Sequence, residues 1–223
     1  MELVSGGDFQ MGTNQSEVAA AVSECVNVYA GACDPSFAED EFPPHRVILD
    51  SFQMEVTEVT AGQYVAFLNS LGPNSHLNGC NGQPCAATRA ESESSNITSD
   101  GTLYTVPDIV ANLPATHITW YGAQAYCEAI DRRLPTEAEW ERAARGSDGR
   151  VYPWGNQWAP ELANTNRRDN TGERTSSGPV AVGTFPDGAS PYALLDMGGN
   201  VAEWVSDWYQ ANYYDVSPYR NPP

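Results

Sequence analysis

Met197-Gly-Gly-Asn-Val-Ala-Glu-Trp-Val-Ser-Asp-Trp-Tyr209 is the stretch on which the reading of this chain turns. Asp196, Asn200, Glu203 and Asp207 crowd around the Gly198-Gly199 pair, and Trp204 and Trp208 stand four apart. Adjacent glycines allow a turn that other residues enter only with strain. Carboxylate, amide and main-chain oxygens can then converge on one point, the donor set that a hard cation such as Ca²⁺ takes. A glycine-rich turn whose acids only cap neighbouring N–H groups has the same sequence, so both readings stand.

Upstream of that loop, Arg133-Leu-Pro-Thr-Glu-Ala-Glu-Trp-Glu-Arg-Ala-Ala-Arg-Gly146 reads as a capped helix. Thr136 and Glu139 have capping-box spacing and Gly146 lies just past the end. The clustered glutamates and arginines resemble a catalytic set, but helix mechanics accounts for them. Pro135 is placed to staple onto Trp140, and Glu141 or Arg142 is expected on a solvated face. A second helix runs from a Thr60 cap, with Gln63 completing the box, to a stop at Gly72; a third opens at Thr119. Residues 1–12 suggest a short strand, and the β-branched alternation of 45–60 one or two more. Residues 13–44 read as an acidic loop, 73–105 as an insertion loop and 147–195 as irregular. Asn96-Ile97-Thr98 is a glycosylation sequon, which places its loop at the surface. Few short helices among loops and short strands make an α+β fold.

MGGNVAEW (197–204), with RLPTEAEWERAARG (133–146) and YPWGN (152–156) before it, closely resembles the formylglycine-generating enzyme, or sulfatase-modifying factor, family. The likeness runs from about Gly6 to Trp208. It implies a variant C-type-lectin-like fold, loop-rich, as a single domain over 1–223. It also implies structural calcium. By position in the motif, the ligands are Asp196, Gly199, Val201 and Glu203, the glycine and valine through their carbonyls. A second calcium site is implied after YPWGN, with the Asn164 side chain and the Thr165 carbonyl, and with Asp169 and Asn170 as further candidates. In active members, two cysteines four residues apart near the C-terminus hold copper and oxidise a substrate cysteine to formylglycine with molecular oxygen. That segment follows an Arg-Gly-Gly-Ser-Trp motif that these 223 residues do not contain. The domain is therefore expected to be incomplete at its C-terminus, and copper is expected only if a further segment supplies the cysteines.

Cys80-x4-Cys85 has the catalytic spacing but lies far upstream between glycines, where a loop-closing disulfide is expected instead. Cys25 and Cys33 are expected to pair likewise in a polar loop. Such pairs belong to an oxidising compartment, so an extracellular or cell-surface location is expected. Cys127 is left over, as a buried free thiol or, as the resemblance implies, the partner of a cysteine near the domain's C-terminus. The three histidines, His45, His76 and His117, are too scattered for a metal triad.

A net charge of −18, from 29 acidic and 11 basic residues, excludes phosphate-driven nucleic-acid binding and disfavours anionic membranes. No apolar run approaches the ~20 residues of a membrane span. The sequence has no Gly-x-Ser-x-Gly elbow, no phosphate-cradling loop, no two-His-one-carboxylate spacing, and neither the Glu-Pro-Asn nor the Gln-Pro-Asp tripeptide of sugar-binding lectins. Two functions remain. One is a calcium-stabilised, non-catalytic extracellular scaffold or binding module that holds a protein or glycan partner. The other is the N-terminal portion of a copper- and oxygen-dependent formylglycine-generating oxidase.

Overall fold

Regular structure is sparse. Among the described residues (1–27, 33–165 and 178–223 of a computed structural model), three two-stranded antiparallel ladders stand among short helices. Strand β1 (Glu2–Val4) pairs with β4 (Phe52–Met54), and β2 (Gly7–Met11) pairs with β3 (His45–Leu49) with Phe9 opposite Val47. A last pair joins β5 (Thr98–Ser99) to β6 (Tyr104–Thr105). Alternation along β2 and β3 buries Phe9, Met11, Val47 and Leu49, as the patterning of 1–12 and 45–60 predicts.

The three helices read from sequence form where their caps place them. Helix α2 (Ala61–Leu71) starts at Thr60, whose hydroxyl accepts the Gln63 N–H at 3.2 Å while Gln63 Oε1 accepts the Thr60 N–H at 2.8 Å. It ends at Gly72 (φ 98°). Helix α4 (Trp120–Ala129) is capped by Thr119, and α5 (Glu137–Arg145) by the Thr136–Glu139 box and Gly146 (φ 70°). The fold is α+β and loop-rich.

Tyr64, Phe67 and Leu68 of α2 pack against Tyr126 of α4 to form the largest apolar cluster. The stretch read as an insertion loop, 73–105, is built into this interior. It contributes the short helix α3 (Ser75–Asn78), the fully buried Cys80–Cys85 disulfide, Ile97 and Tyr104. Polar atoms anchor it: the Tyr64 hydroxyl donates to Cys85 O at 3.0 Å, and the His76 N–H donates to the Tyr104 hydroxyl at 2.9 Å. A Cβ on Gly122 would lie 2.0 Å from Cys85 O, so α4 can cross the disulfide loop only at glycine. Ile97 in the middle of the sequon is 1% exposed, so that segment is inward-facing at its centre rather than a free surface loop.

Two local readings are corrected. Residues 13–44 hold a helix, α1 (Gln15–Asn27), and a 3-10 turn at Pro35–Glu41. Asn14 caps α1 by accepting the Ser16 and Glu17 N–H groups, and Glu17 answers by accepting the Asn14 N–H at 3.1 Å. The Cys25–Cys33 disulfide closes its end. On α5, neither Glu141 nor Arg142 faces solvent; they are 8% and 5% exposed. Glu141 accepts the Gly12 N–H and pairs with Arg145, while Arg142 donates to Asp8 O and Ser5 O. Both side chains answer to β2 and the residues flanking it, more than a hundred residues upstream.

Candidate functional site: the acidic loop at 196–207

The glycines of this loop act differently from the expectation that they relieve a strained turn. Positive φ falls on their neighbours, Asp196 (62°) and Asn200 (70°), residues whose short polar side chains tolerate it. Gly198 and Gly199 are instead required by close approach. A Cβ on Gly198 would meet the Trp154 ring at 2.6 Å, and one on Gly199 would meet Asn164 O at 2.5 Å. The PWGN and MGGN motifs are thus two sides of one contact.

That contact brings the residues of the two implied calcium sites together. The Asn200 N–H donates to Asn164 O at 2.7 Å, and Asn164 Nδ2 donates to Asn200 Oδ1 at 3.0 Å. Asn200 Nδ2 reaches Glu58 Oε2 at 2.8 Å, and the Val201 N–H reaches Glu58 Oε1 at 3.2 Å. Asp196 Oδ2 accepts the Gly183 N–H at 2.7 Å. Glu203 Oε2 accepts the Trp140 indole N–H at 2.5 Å, which ties the loop to α5. Further along, Ser206 N–H donates to Pro135 O and Asp207 accepts the Glu137 N–H, so the loop rides on the start of that helix.

Glu58 is the residue that sequence reasoning missed. It lies in a β-branched run read only as strand, two positions before the Thr60 cap, and its signal there is a lone acid. Burial lifts its carboxyl to about 8, with further upward pushes from the charges of Asp196 and Glu203. Asp196 is raised as well, again by burial first. Glu203 is pushed up by the protein packed around its carboxylate and then by Asp196, but the residue keeps an exposed surface and water tempers the effect. The charges of Asp196 and Glu203 push Glu58 up, and that of Asp196 pushes Glu203 up, so three carboxylates share this corner.

This donor set fits a hard cation in charge and atom type: two carboxylates, an amide and main-chain oxygens. Thr165 packs its methyl against Gly199 in the same corner, and its hydroxyl is buried without a hydrogen-bond partner. Among the described residues, no three His, Cys, Asp or Glu side chains are grouped so as to hold a metal by themselves, so carbonyl or amide oxygens would have to complete any coordination. Asp169 and Asn170 lie outside the described residues.

Beneath the loop is a cavity of about 420 Å³ lined by Phe52, Met54, Tyr64, Tyr126, Leu134 and Met197. Glu58 and Glu203 reach it, as does Cys127. Cys127 is free and half-buried, and burial pushes its thiol up, away from the thiolate form that reacts. The other four cysteines form the two expected disulfides. The histidines stay apart: His45 Nδ1 meets Pro43 O while its buried Nε2 has no partner, His76 Nδ1 meets the Tyr104 hydroxyl, and His117 meets Thr116 and Ser94.

The family model of the Sulfatase-modifying factor enzyme 1-like domain matches residues 1–221. The chain belongs to this family. The formylglycine-generating enzyme of Mus musculus is 31% identical over 224 residues, covering 82% of this chain and 56% of that protein. A protein named serine/threonine-protein kinase pkn1 from Chlamydia pneumoniae is 33% identical over 218 residues, or 97% of this chain and 29% of its own length. The inactive C-alpha-formylglycine-generating enzyme 2 of Bos taurus is 42% identical over 108 residues, 46% of this chain and 36% of that relative. The chain thus spans between 29% and 56% of the length of these relatives. Among the described residues, no helix is long and apolar enough to cross a membrane.

Proposed function

We propose that this sulfatase-modifying-factor domain is a calcium-stabilised, non-catalytic scaffold or binding module that works outside the cell or at its surface and holds a protein or glycan partner. The observation that carries the reading is the corner where Asp196, Glu203 and Glu58 gather beside Asn164 and Asn200, with Asn164 donating to Asn200 and Asn200 to Glu58. Asp196 and Glu203 would hold one calcium with the Gly199 and Val201 carbonyls, and Asn164 with the Thr165 carbonyl would contribute to a second. Bound calcium supplies positive charge that offsets the repulsion and orders loops poor in apolar residues. Around it, Trp140 and Gly183 hold the two carboxylates in place, while Glu58 fixes Asn200 and the Val201 amide.

Absence of catalysis is supported by the cysteines. Oxidation of a substrate thiol in the active relatives uses a cysteine pair, whereas Cys80 and Cys85 are joined and fully buried here. Cys127 stands alone and half-buried among the described residues. The disulfides support an oxidising, extracellular setting. The Chlamydia pneumoniae relative bears a kinase name, but the match covers only 29% of its length.

The likeness to the mouse formylglycine-generating enzyme favours a second reading, the N-terminal portion of a copper- and oxygen-dependent oxidase. Two measurements separate and test these. Metal analysis of the purified protein is expected to return calcium, and EGTA is expected to lower the melting temperature by several degrees; an unchanged curve with no calcium found refutes the metal. Incubation with copper and a Cys-x-Pro-x-Arg peptide is expected to leave the peptide mass unchanged, and aldehyde formation refutes the non-catalytic reading.

A further inference from the structure

Tyr214 stands where two chain segments and a helix meet, away from the calcium corner. It lies in a 3-10 turn at Tyr213–Asp215, is 6% exposed, and fits against Gly12, where a Cβ would come within 2.9 Å of its ring. Its hydroxyl lies 3.2 Å from Glu41 Oε2, at the end of the Pro35–Glu41 turn, and 3.3 Å from Glu137 Oε1, at the start of α5. A phenol has one proton to donate, so it cannot satisfy two ionised carboxylates. The arrangement is complete only when one of the two acids carries a proton. Glu137 can then donate to the phenol oxygen, and the phenol can donate to Glu41.

The surrounding charges favour that state. Glu141 also faces Tyr214 from α5, although Arg145 and the Gly12 N–H hold it. Asp207 lies beside Glu137 from the acidic loop and accepts its N–H at 2.9 Å. Tyr213 adjoins from the same turn as Tyr214. From β3, the His45 ring meets the Tyr214 ring edge-on at 4.6 Å, with its Nδ1 at Pro43 O. Burial, then Glu41, then Asp207 push the Glu137 carboxyl above the ordinary carboxylate range.

We propose that Glu137, Tyr214 and Glu41 form a proton-held clasp that fastens the turn at 213–215 to α5 and to the Pro35–Glu41 turn in mild acid and loosens it as pH rises. The sign follows from linkage: a carboxyl whose folded pKa is raised gives stability that is complete below its unfolded pKa and is lost as pH climbs through the folded one. The loosening is local, because the chain beyond is held separately by the Ile48 N–H to Tyr219 O and the Asn221 N–H to Ile48 O.

Hydrogen exchange at the Val216 amide, which closes this turn by donating to Tyr213 O, reads the clasp directly. Its protection factor, corrected for intrinsic exchange, is measured from about pH 4 to about pH 8, a range that spans ordinary and raised carboxylates. The wild type is expected to lose protection severalfold across that range. Glu137→Gln supplies a permanent donor and is expected to stay protected throughout; Tyr214→Phe keeps the ring but removes the shared proton and is expected to be weakly protected at every pH. A flat wild-type profile overturns the proposal. So does a wild-type-like decline retained in either variant, and Tyr214→Phe alone decides it if Glu137→Gln does not fold.

Discussion

Gly199 shows how a residue read correctly as important can be important for another reason. Its backbone is not in the left-handed region; the constraint is Asn164 O, 2.5 Å from where a Cβ would stand. Gly199→Ala is therefore expected to cost about 1–3 kcal/mol through forced displacement of 164. Gly62→Ala, where a Cβ would stand 3.2 Å from Ala111 O at the start of α2, is expected to change stability by less than about 1 kcal/mol. Thermal denaturation of the two variants checks the contrast. Glu58 carries the pH prediction at this scale. Its folded carboxyl sits near 8 against an ordinary 4.5, so in calcium-free protein its contribution is complete below about 4.5 and lost as pH rises through about 8. Glu58→Gln, which loses the charge and keeps one acceptor oxygen, enough for either the Asn200 amide or the Val201 N–H, is expected to flatten the fall in melting temperature over that window. A fall as steep as the wild type's would show that Glu58 is not its source.

Helix ends were legible in the sequence because a cap is a local contract between a hydroxyl and an amide three residues on. Thr60, Thr119 and Thr136 all honour it. Helix faces were less legible, because the partner of a face lies elsewhere in the chain. Glu141 and Arg142 look solvated by composition, yet they satisfy Gly12, Asp8 and Ser5. Substitution separates the two views. On a solvated face Glu141→Ala would be nearly silent, whereas removing a buried acid that holds Arg145 and a backbone N–H is expected to cost on the order of 3 kcal/mol. Thr136→Ala, which deletes one side of the cap on the same helix, is expected to cost about 1 kcal/mol. Chemical denaturation gives both values, and a ranking in the opposite order would refute the burial argument. Helix α1 was missed for a related reason: its Asn14–Glu17 cap lies in a stretch whose acids and cysteines suggested loop, and the alanines that favour helix were outweighed.

At the scale of the molecule, motif order carried the family and the α+β class, while Glu58 escaped because its partners, Asn200 and Val201, lie more than 140 residues away. The same scale decides how calcium must be tested. A chain of net charge −18 repels itself, so any salt that screens the charge is expected to stabilise it, with no site involved. Calcium bound to a site acts instead by mass action, about 2.7 kcal/mol at a hundred times its dissociation constant, and saturates. Glu203→Gln separates the effects, since the amide oxygen still accepts from Trp140 but the ligand charge is gone. In the wild type, millimolar calcium is expected to raise the melting temperature beyond what sodium chloride of matched ionic strength does. In Glu203→Gln the sodium chloride increment is expected to persist and the extra calcium increment to shrink sharply. An undiminished calcium increment in that variant would assign the effect to bulk screening or another site, and would remove Glu203 from the ligands.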